Sequence, residues 1–263
     1  MVALILVRIV SFAALAYLAL PLVVLVGASL TTTSFLAFPP QGLTLAWYGK
    51  MLGDPSYVSA FTTSTLLAVA ATVVAMLLAV PAAIAIARYR FAGRRLLSET
   101  LMSPLILPHV VLGAALLQYG SAIGLVRSFP ALLVGHVVII MPFVLRAVLP
   151  QLTDEQKSLE DASADLGARP LTTFFLVTLP QIRSGLVSGA IFAFIASWIN
   201  VELSIFNTTA ELTTIPVKLF NYVQYTIDPT IAAVSGLTII VAAIVIVLLD
   251  LTIGLDVLSE RRR

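Results

Sequence analysis

Few residues in this chain are equipped for chemistry. Its 263 residues include no cysteine and only two histidines, His109 and His136. Without cysteine there is no disulfide framework, thiolate metal site or cysteine nucleophile. Two histidines without supporting carboxylates or cysteines make a poor metal site, so polar contact between helices is their expected role. No Gly-x4-Gly-Lys-Ser/Thr stretch is present to cradle a nucleotide phosphate, and no His-Glu-x-x-His, Gly-x-Ser-x-Gly or dinucleotide fingerprint occurs. The chain is therefore not expected to be an enzyme. Two polar clusters remain. One is Glu160-Asp161-Ala162-Ser163, followed by Gly167, Ala168 and Val177-x-Leu179-Pro180. The other is Ser197-Trp198-Ile199-Asn200-Val201-Glu202-Leu203-Ser204.

The elements that must hold these clusters are set by composition. Sixty per cent of residues are apolar, 11% are charged and the mean hydropathy is +1.06. Soluble domains run at about 45–50% apolar and about 25% charged, so an ordinary globular domain is excluded. The reading is an all-α membrane protein. Six stretches are apolar over the length of a bilayer crossing: Ile9–Leu30, Phe61–Ala87, Leu101–Leu125, Leu132–Leu149, Leu186–Phe206 and Ile231–Ile253. They make one transmembrane domain over residues 1–263. The first stretch follows Arg8 and ends near small residues, as a signal peptide would, but it is long for one and reads as a retained helix.

Charge orients the spans. Arg8, Arg88, Arg90, Arg94, Arg95, Arg146, Lys157, Arg169, Arg183 and Arg261–Arg263 fall on one side, twelve of the fifteen basic residues. Lys50, Arg127 and Lys218 fall on the other. The positive-inside rule puts both termini and the loops around Arg90 and Arg169 in the cytoplasm. The basic residues read as bilayer anchors, with no nucleic acid partner.

The longest cytoplasmic segment, Pro150–Ser184, holds five of the thirteen acids. Thr153 with Gln156 three residues on is a capping-box pattern, and Asp154 and Glu155 suit a helix N-terminus. A helix over Asp154–Leu166 is expected, closed by a turn at Gly167 and restarted by Pro170, with Pro180 ending or kinking the second arm. Leu171, Phe174, Phe175 and Leu176 give that arm an apolar ridge. On the opposite side, Leu45, Trp47, Tyr48, Met51 and Leu52 predict a short amphipathic helix between turns at Pro39-Pro40 and Gly53-Asp54-Pro55. Pro104, Pro108 and Pro142 are expected to kink their helices. Gly185-x-x-x-Gly189 suits close helix packing, and Asn221, Tyr222 and Tyr225 read as interfacial residues.

The acidic hairpin resembles the cytoplasmic EAA signature of ABC importer permeases. Asp161 stands for the usual Glu, Ala162 and Ser163 for the two Ala, Gly167 follows four positions on, and Val177-x-Leu179-Pro180 begins ten after the glycine. Further residues are similar to permeases of the spermidine/putrescine group: Phe38-Pro39-Pro40-x-Gly42-x-Thr44-Leu45-x-Trp47-Tyr48, Pro104-x-x-x-Pro108-His109 with Gly113, and Asp228-Pro229-Thr230-Ile231-Ala232-Ala233-Val234-Ser235.

The resemblance implies a type I importer permease fold with six transmembrane helices. It implies that Glu160, Asp161, Ala162, Ser163, Gly167, Ala168, Leu179 and Pro180 form the coupling helix that docks on an ATPase subunit. It also implies a second permease, two ATPase subunits, an extracytoplasmic solute-binding protein and the lipid bilayer as partners. ATP and Mg would be bound by the ATPase, with no cofactor in this chain. Ser197, Trp198, Asn200 and Glu202 are the candidates for the solute pathway, because intramembrane polar groups are costly unless used. Permeases of the polyamine group usually carry an acid where this chain has Ile199, which leaves Glu202 to meet a cationic solute. Ferric iron, thiamine and phosphonates are alternative solutes for relatives of this group. An ATP-independent secondary transporter or channel is the competing class, a membrane scaffold or intramembrane enzyme a third.

Overall fold

The computed structural model describes residues 2–253, with the side chains of residues 2–4 and of the last described turns excepted. In chain order it comprises α1 (Val2–Ser29), α2 (Ala46–Gly53), α3 (Pro55–Arg88), α4 (Arg94–Met102), α5 (His109–Ala122), α6 (Phe129–Val148), α7 (Asp154–Asp165), α8 (Pro170–Thr173), α9 (Leu179–Gln181), α10 (Arg183–Trp198), α11 (Ser204–Asn207), α12 (Ile215–Val223) and α13 (Pro229–Ile253). No strand occurs among the described residues. Arg261–Arg263, used in the charge reading, lie outside the described residues.

Among the described residues, three helices are long and apolar enough to cross a bilayer singly: Ile5–Ser29, Pro55–Arg88 and Phe129–Gln151. Two further crossings expected as single helices are bent. Arg94–Leu105 meets His109–Ala122 at 107°, and Pro170–Gln181 meets Arg183–Trp198 at 70°. The straight span over Leu101–Leu125 is thus corrected to two helices with a break at 106–108. The reason is Pro108, which has no N–H to give and pushes Leu107 out of helical geometry. The span over Leu186–Phe206 is corrected as well. α10 stops at Trp198, and Asn200 and Glu202 lie in the non-helical segment before α11. The expected kink at Pro142 falls inside α6, which continues through it as one helix.

The described chain forms two compact units, 2–58 with 218–253, and 59–217. In the first, α1 and α2 both pack on α13. The predicted amphipathic helix is α2. Its Met51 is fully buried, its Trp47 indole N–H donates to the Thr31 carbonyl at 2.8 Å, and its Tyr48 hydroxyl meets the Ser29 hydroxyl at 2.8 Å. The core of the second unit joins Ala71, Ala75, Ala79 and Ala83 of α3 to Ile140, Val144, Leu145 and Val148 of α6. α10 lies against α6 through the two glycines of Gly185-x-x-x-Gly189. A Cβ on Gly185 would stand 2.6 Å from the Ala147 carbonyl oxygen, and one on Gly189 3.2 Å from the Val144 Cα. Small residues there let the two backbones approach.

Candidate functional site

The hairpin is built by local rules. Thr153 caps α7, its hydroxyl accepting the Gln156 N–H at 3.4 Å. At the other end Gly167 has φ of +84°, the left-handed region a Cβ would strain. The Gly167 N–H donates to the Ala164 carbonyl and the Ala168 N–H to the Ser163 carbonyl, at 2.9 and 3.1 Å. This is the paired Schellman closure, and it reverses the chain in three residues. Pro170 then starts α8, as expected, and the second arm runs through a π-helical stretch at Phe174–Thr178 into α9. The Ser163 and Thr173 hydroxyls meet at 3.0 Å and tie the arms together.

Glu160 makes the principal tie. Its carboxylate takes a two-pronged bond from Arg88 at the end of α3, Nε to Oε2 at 2.9 Å and Nη2 to Oε1 at 3.1 Å. The third arm of the guanidinium donates to the carbonyls of Leu152 and Thr153 at 3.2 and 3.0 Å. From the second arm, the Thr178 hydroxyl donates to Glu160 Oε1 at 3.0 Å. Arg88 and Glu160 side chains are 9% and 16% exposed. Asp161, Ala162, Gly167 and Pro180 face solvent instead, with Ser163, Ala168 and Leu179 half-buried. Around the tip Leu166, Leu171 and Leu176 are exposed. A cavity of about 410 Å³ between the α3 end and the hairpin is lined by Arg88, Lys157, Glu160, Asp161, Thr173 and Phe174, among others. Arg88 and Thr178 carry no motif. The one signal was that Arg88 is the first basic residue after an apolar run, and charge counting gives it only an anchoring role.

The second cluster gathers at the break between α10 and α11. Ser197, Trp198 and Asn200 are buried, whereas the Glu202 side chain is 57% exposed. His136 of α6 lies between two serines, Nδ1 to Ser197 Oγ at 2.7 Å and Nε2 to Ser204 Oγ at 2.9 Å. Ser204 also donates to the Asn200 carbonyl at 3.1 Å. That leaves Ser204 to accept from Nε2–H and Ser197 to donate to Nδ1, a tautomer assigned from the network. Asn200 Oδ1 accepts the Leu203 N–H at 3.1 Å, and its Nδ2 faces His109 Nδ1 and Glu202 Oε2, both at 3.4 Å. His109 and Glu202 stand 3.9 Å apart. His136 joins α6 to α10 and α11, whereas His109 of α5 meets the non-helical segment between α10 and α11, and no metal-binding group of three or more His, Asp or Glu occurs among the described residues.

The described residues thus combine apolar, bilayer-length helices and a broken span with a solvent-exposed hairpin, an architecture of the membrane-protein class. Residues 79–263 match the family described as the binding-protein-dependent transport system inner membrane component, and the chain belongs to that family. It is similar to the putrescine transport system permease protein PotI of Escherichia coli strain K12, 32% identical over 213 residues covering 78% of this chain and 75% of the relative. It is similar also to the spermidine/putrescine transport system permease protein PotC of the same strain, 27% identical over 88% of both chains. The molybdenum transport system permease protein ModB of Mycobacterium bovis is 31% identical over 76% of this chain and 81% of its own. Among solved structures, a bacterial ABC transporter involved in import of the acidic polysaccharide alginate superposes with a TM-score of 0.71 over 95% of this chain and 96% of that one, at 16% identity. The chain is thus a permease subunit of an ABC importer, a class that works with an ATPase and a binding protein.

Proposed function

We propose that this chain is one of two permease subunits, the other a different chain, that enclose a solute pathway across a bacterial inner membrane. It crosses six times with both termini in the cytoplasm, as one transmembrane domain. The three single helices, the two bent pairs and α13 supply the crossings, and the charge asymmetry sets the direction. Two ATPase subunits hold the ATP and Mg and dock on the hairpins, and an extracytoplasmic binding protein delivers the solute. This chain performs no catalysis and needs no cofactor of its own.

The observation that carries the reading is the hairpin: a Schellman turn at Gly167 that leaves Asp161, Ala162 and Leu166 open to a partner while Glu160 locks both arms behind them. Such an element transmits ATPase closure as rigid-body motion. A small polyamine-like cation is the solute, supported by the names of two relatives and by Glu202, an open carboxylate flanked by Asn200 and His109. Reconstitution tests the assignment. Vesicles holding both permeases, the ATPase and the binding protein should take up labelled putrescine only with ATP. Flux through the permeases without the ATPase would establish the ATP-independent class instead. A thermal-shift screen of the binding protein against putrescine, spermidine, ferric iron, thiamine, phosphonate and molybdate decides the solute.

A further inference from the structure

Resting on the coupling role proposed for the hairpin, we infer that Arg88 makes α3 a third moving arm of the coupling device, joined to the hairpin by side chains and not by the chain. Covalent continuity links the hairpin only to α6 before it and α10 after it. α3 ends 64 residues before Leu152 and 72 before Glu160, yet it is bound to both through one guanidinium. The four bonds are spread over the hairpin's mechanical parts. The Leu152 and Thr153 carbonyls mark the hinge where α6 gives way to α7, and Glu160 lies in mid-α7. Thr178 brings the second arm onto the same carboxylate.

Other basic residues near the end of α3 do nothing comparable. Arg90 and Arg94 are exposed, and Arg95 pairs one turn away with Glu99 on the surface of α4, its side chain 90% exposed. The planar fork of an arginine fixes direction as well as distance, which a lysine point charge does not. Shielded on both sides, the clasp is too stiff for the hairpin to slide past α3 during a push from the ATPase. The expected motion is α3, α7 and α8 travelling together, with Arg88 as a positioning residue.

This chain has no cysteine, so two introduced cysteines are its only labelling sites, and it is labelled before assembly with the unlabelled partner subunits. Spin labels at the exposed positions Tyr89 and Leu166 report the distance from the α3 end to the hairpin tip, and labels at Tyr119 and Leu166 report the tip against α5. The measurements are made in the assembled importer, nucleotide-free and trapped with ATP and vanadate. The expected result is a Tyr89–Leu166 distance that stays constant while Tyr119–Leu166 changes. If both distances change, α3 does not follow the hairpin and the inference fails, though the coupling role stands. If neither changes, the coupling role itself fails and takes the inference with it. Thr178→Val and Arg88→Lys extend the test. Each should broaden the Tyr89–Leu166 distribution and lower uptake several-fold while the ATPase still copurifies and hydrolyses ATP. Unchanged distance and uptake in both variants would overturn the assignment.

Discussion

Each of the two compact units is fastened by a cation and a carboxylate brought together over a long stretch of chain, and the two fastenings differ in kind. In residues 59–217, Arg88 grips Glu160 with two parallel bonds, and both side chains are largely shielded from water. In the other unit, Lys50 of α2 reaches Asp228 before α13 at 3.0 Å, with the lysine side chain 57% exposed and the aspartate 11%, so only the cation is wet. Asp228 is held there by more than the lysine. The Tyr222 hydroxyl and the Thr230 N–H each donate to it at 2.9 Å, beside a cavity of about 390 Å³ lined by Lys50, Tyr57, Lys218 and Tyr222. A shielded fork makes geometry rigid and is costly to break. A wet point charge contributes little and answers to salt and pH.

The largest difference should appear when the cation alone is removed. Arg88→Met strands a shielded carboxylate, and a loss of about 3–5 kcal/mol is expected for such a broken pair. SDS titration of the folded protein in mixed micelles measures it. A loss below about 1 kcal/mol would show that water reaches Glu160 and would erase the contrast with Lys50.

Gly167→Ala asks whether the clasp or the turn shapes the hairpin. No atom lies within 4 Å of where the new methyl would sit, so the cost comes from the left-handed backbone alone. That cost is about 1–2 kcal/mol, smaller than the loss of Arg88. The same SDS titration should rank the two variants in that order, and uptake should fall less for Gly167→Ala than for Arg88→Met. The reverse order would mean that the turn dominates.

These two residues also divide what was legible in the sequence from what was not. Gly167, Thr153, Pro170 and the α7 boundaries follow from rules acting over a few residues, and the observed caps and turn obey them. The apolar runs of α1, α3, α6 and α13 are visible in hydropathy in the same way, but α1 and α3 begin well before the expected starts at Ile9 and Phe61. The breaks at 106–108 and 199–203 did not. Hydropathy sees an apolar run whether or not its backbone is helical, and the second break has no proline to announce it. Asn200 stands there instead, its side chain accepting the Leu203 N–H beyond the end of α10. Arg88–Glu160 and His136 with Ser197 and Ser204 are pairings across 61 or more residues, set by how helices stack. The pathway candidates lie in one polar segment, where the sequence alone could not tell buried Asn200 from open Glu202.

Lys50→Met should cost less than Arg88→Met, because the lysine is mostly hydrated already and the shielded Asp228 keeps its bonds from Tyr222 and Thr230 when the ammonium goes. Raising NaCl should shrink that loss further, while leaving the Arg88→Met effect nearly unchanged. An equal salt response in both would place the two clasps in the same dielectric surroundings. The contrast between shielded fork and wet point charge would then vanish.

The smallest and most specific effect is in pH. Burial alone would push the Asp228 carboxyl up, but bonds from Lys50, Thr230 and Tyr222 outweigh it and hold it below the usual 3.8. Its contribution is therefore present above that value and lost as pH falls through the lower folded one. Hydrogen bonding to Asp228 raises the Lys50 ammonium above 10.5, against a smaller effect of burial. That contribution is present below 10.5 and lost as pH rises through the higher folded value. The clasp should thus give a plateau between about 4 and 10.5 that falls away on both sides. In Asp228→Asn both limbs should flatten, read as the difference in unfolding free energy from wild type across the range. An alkaline loss that survives in Asp228→Asn would have to arise elsewhere, and Lys50 would then contribute nothing beyond a surface lysine.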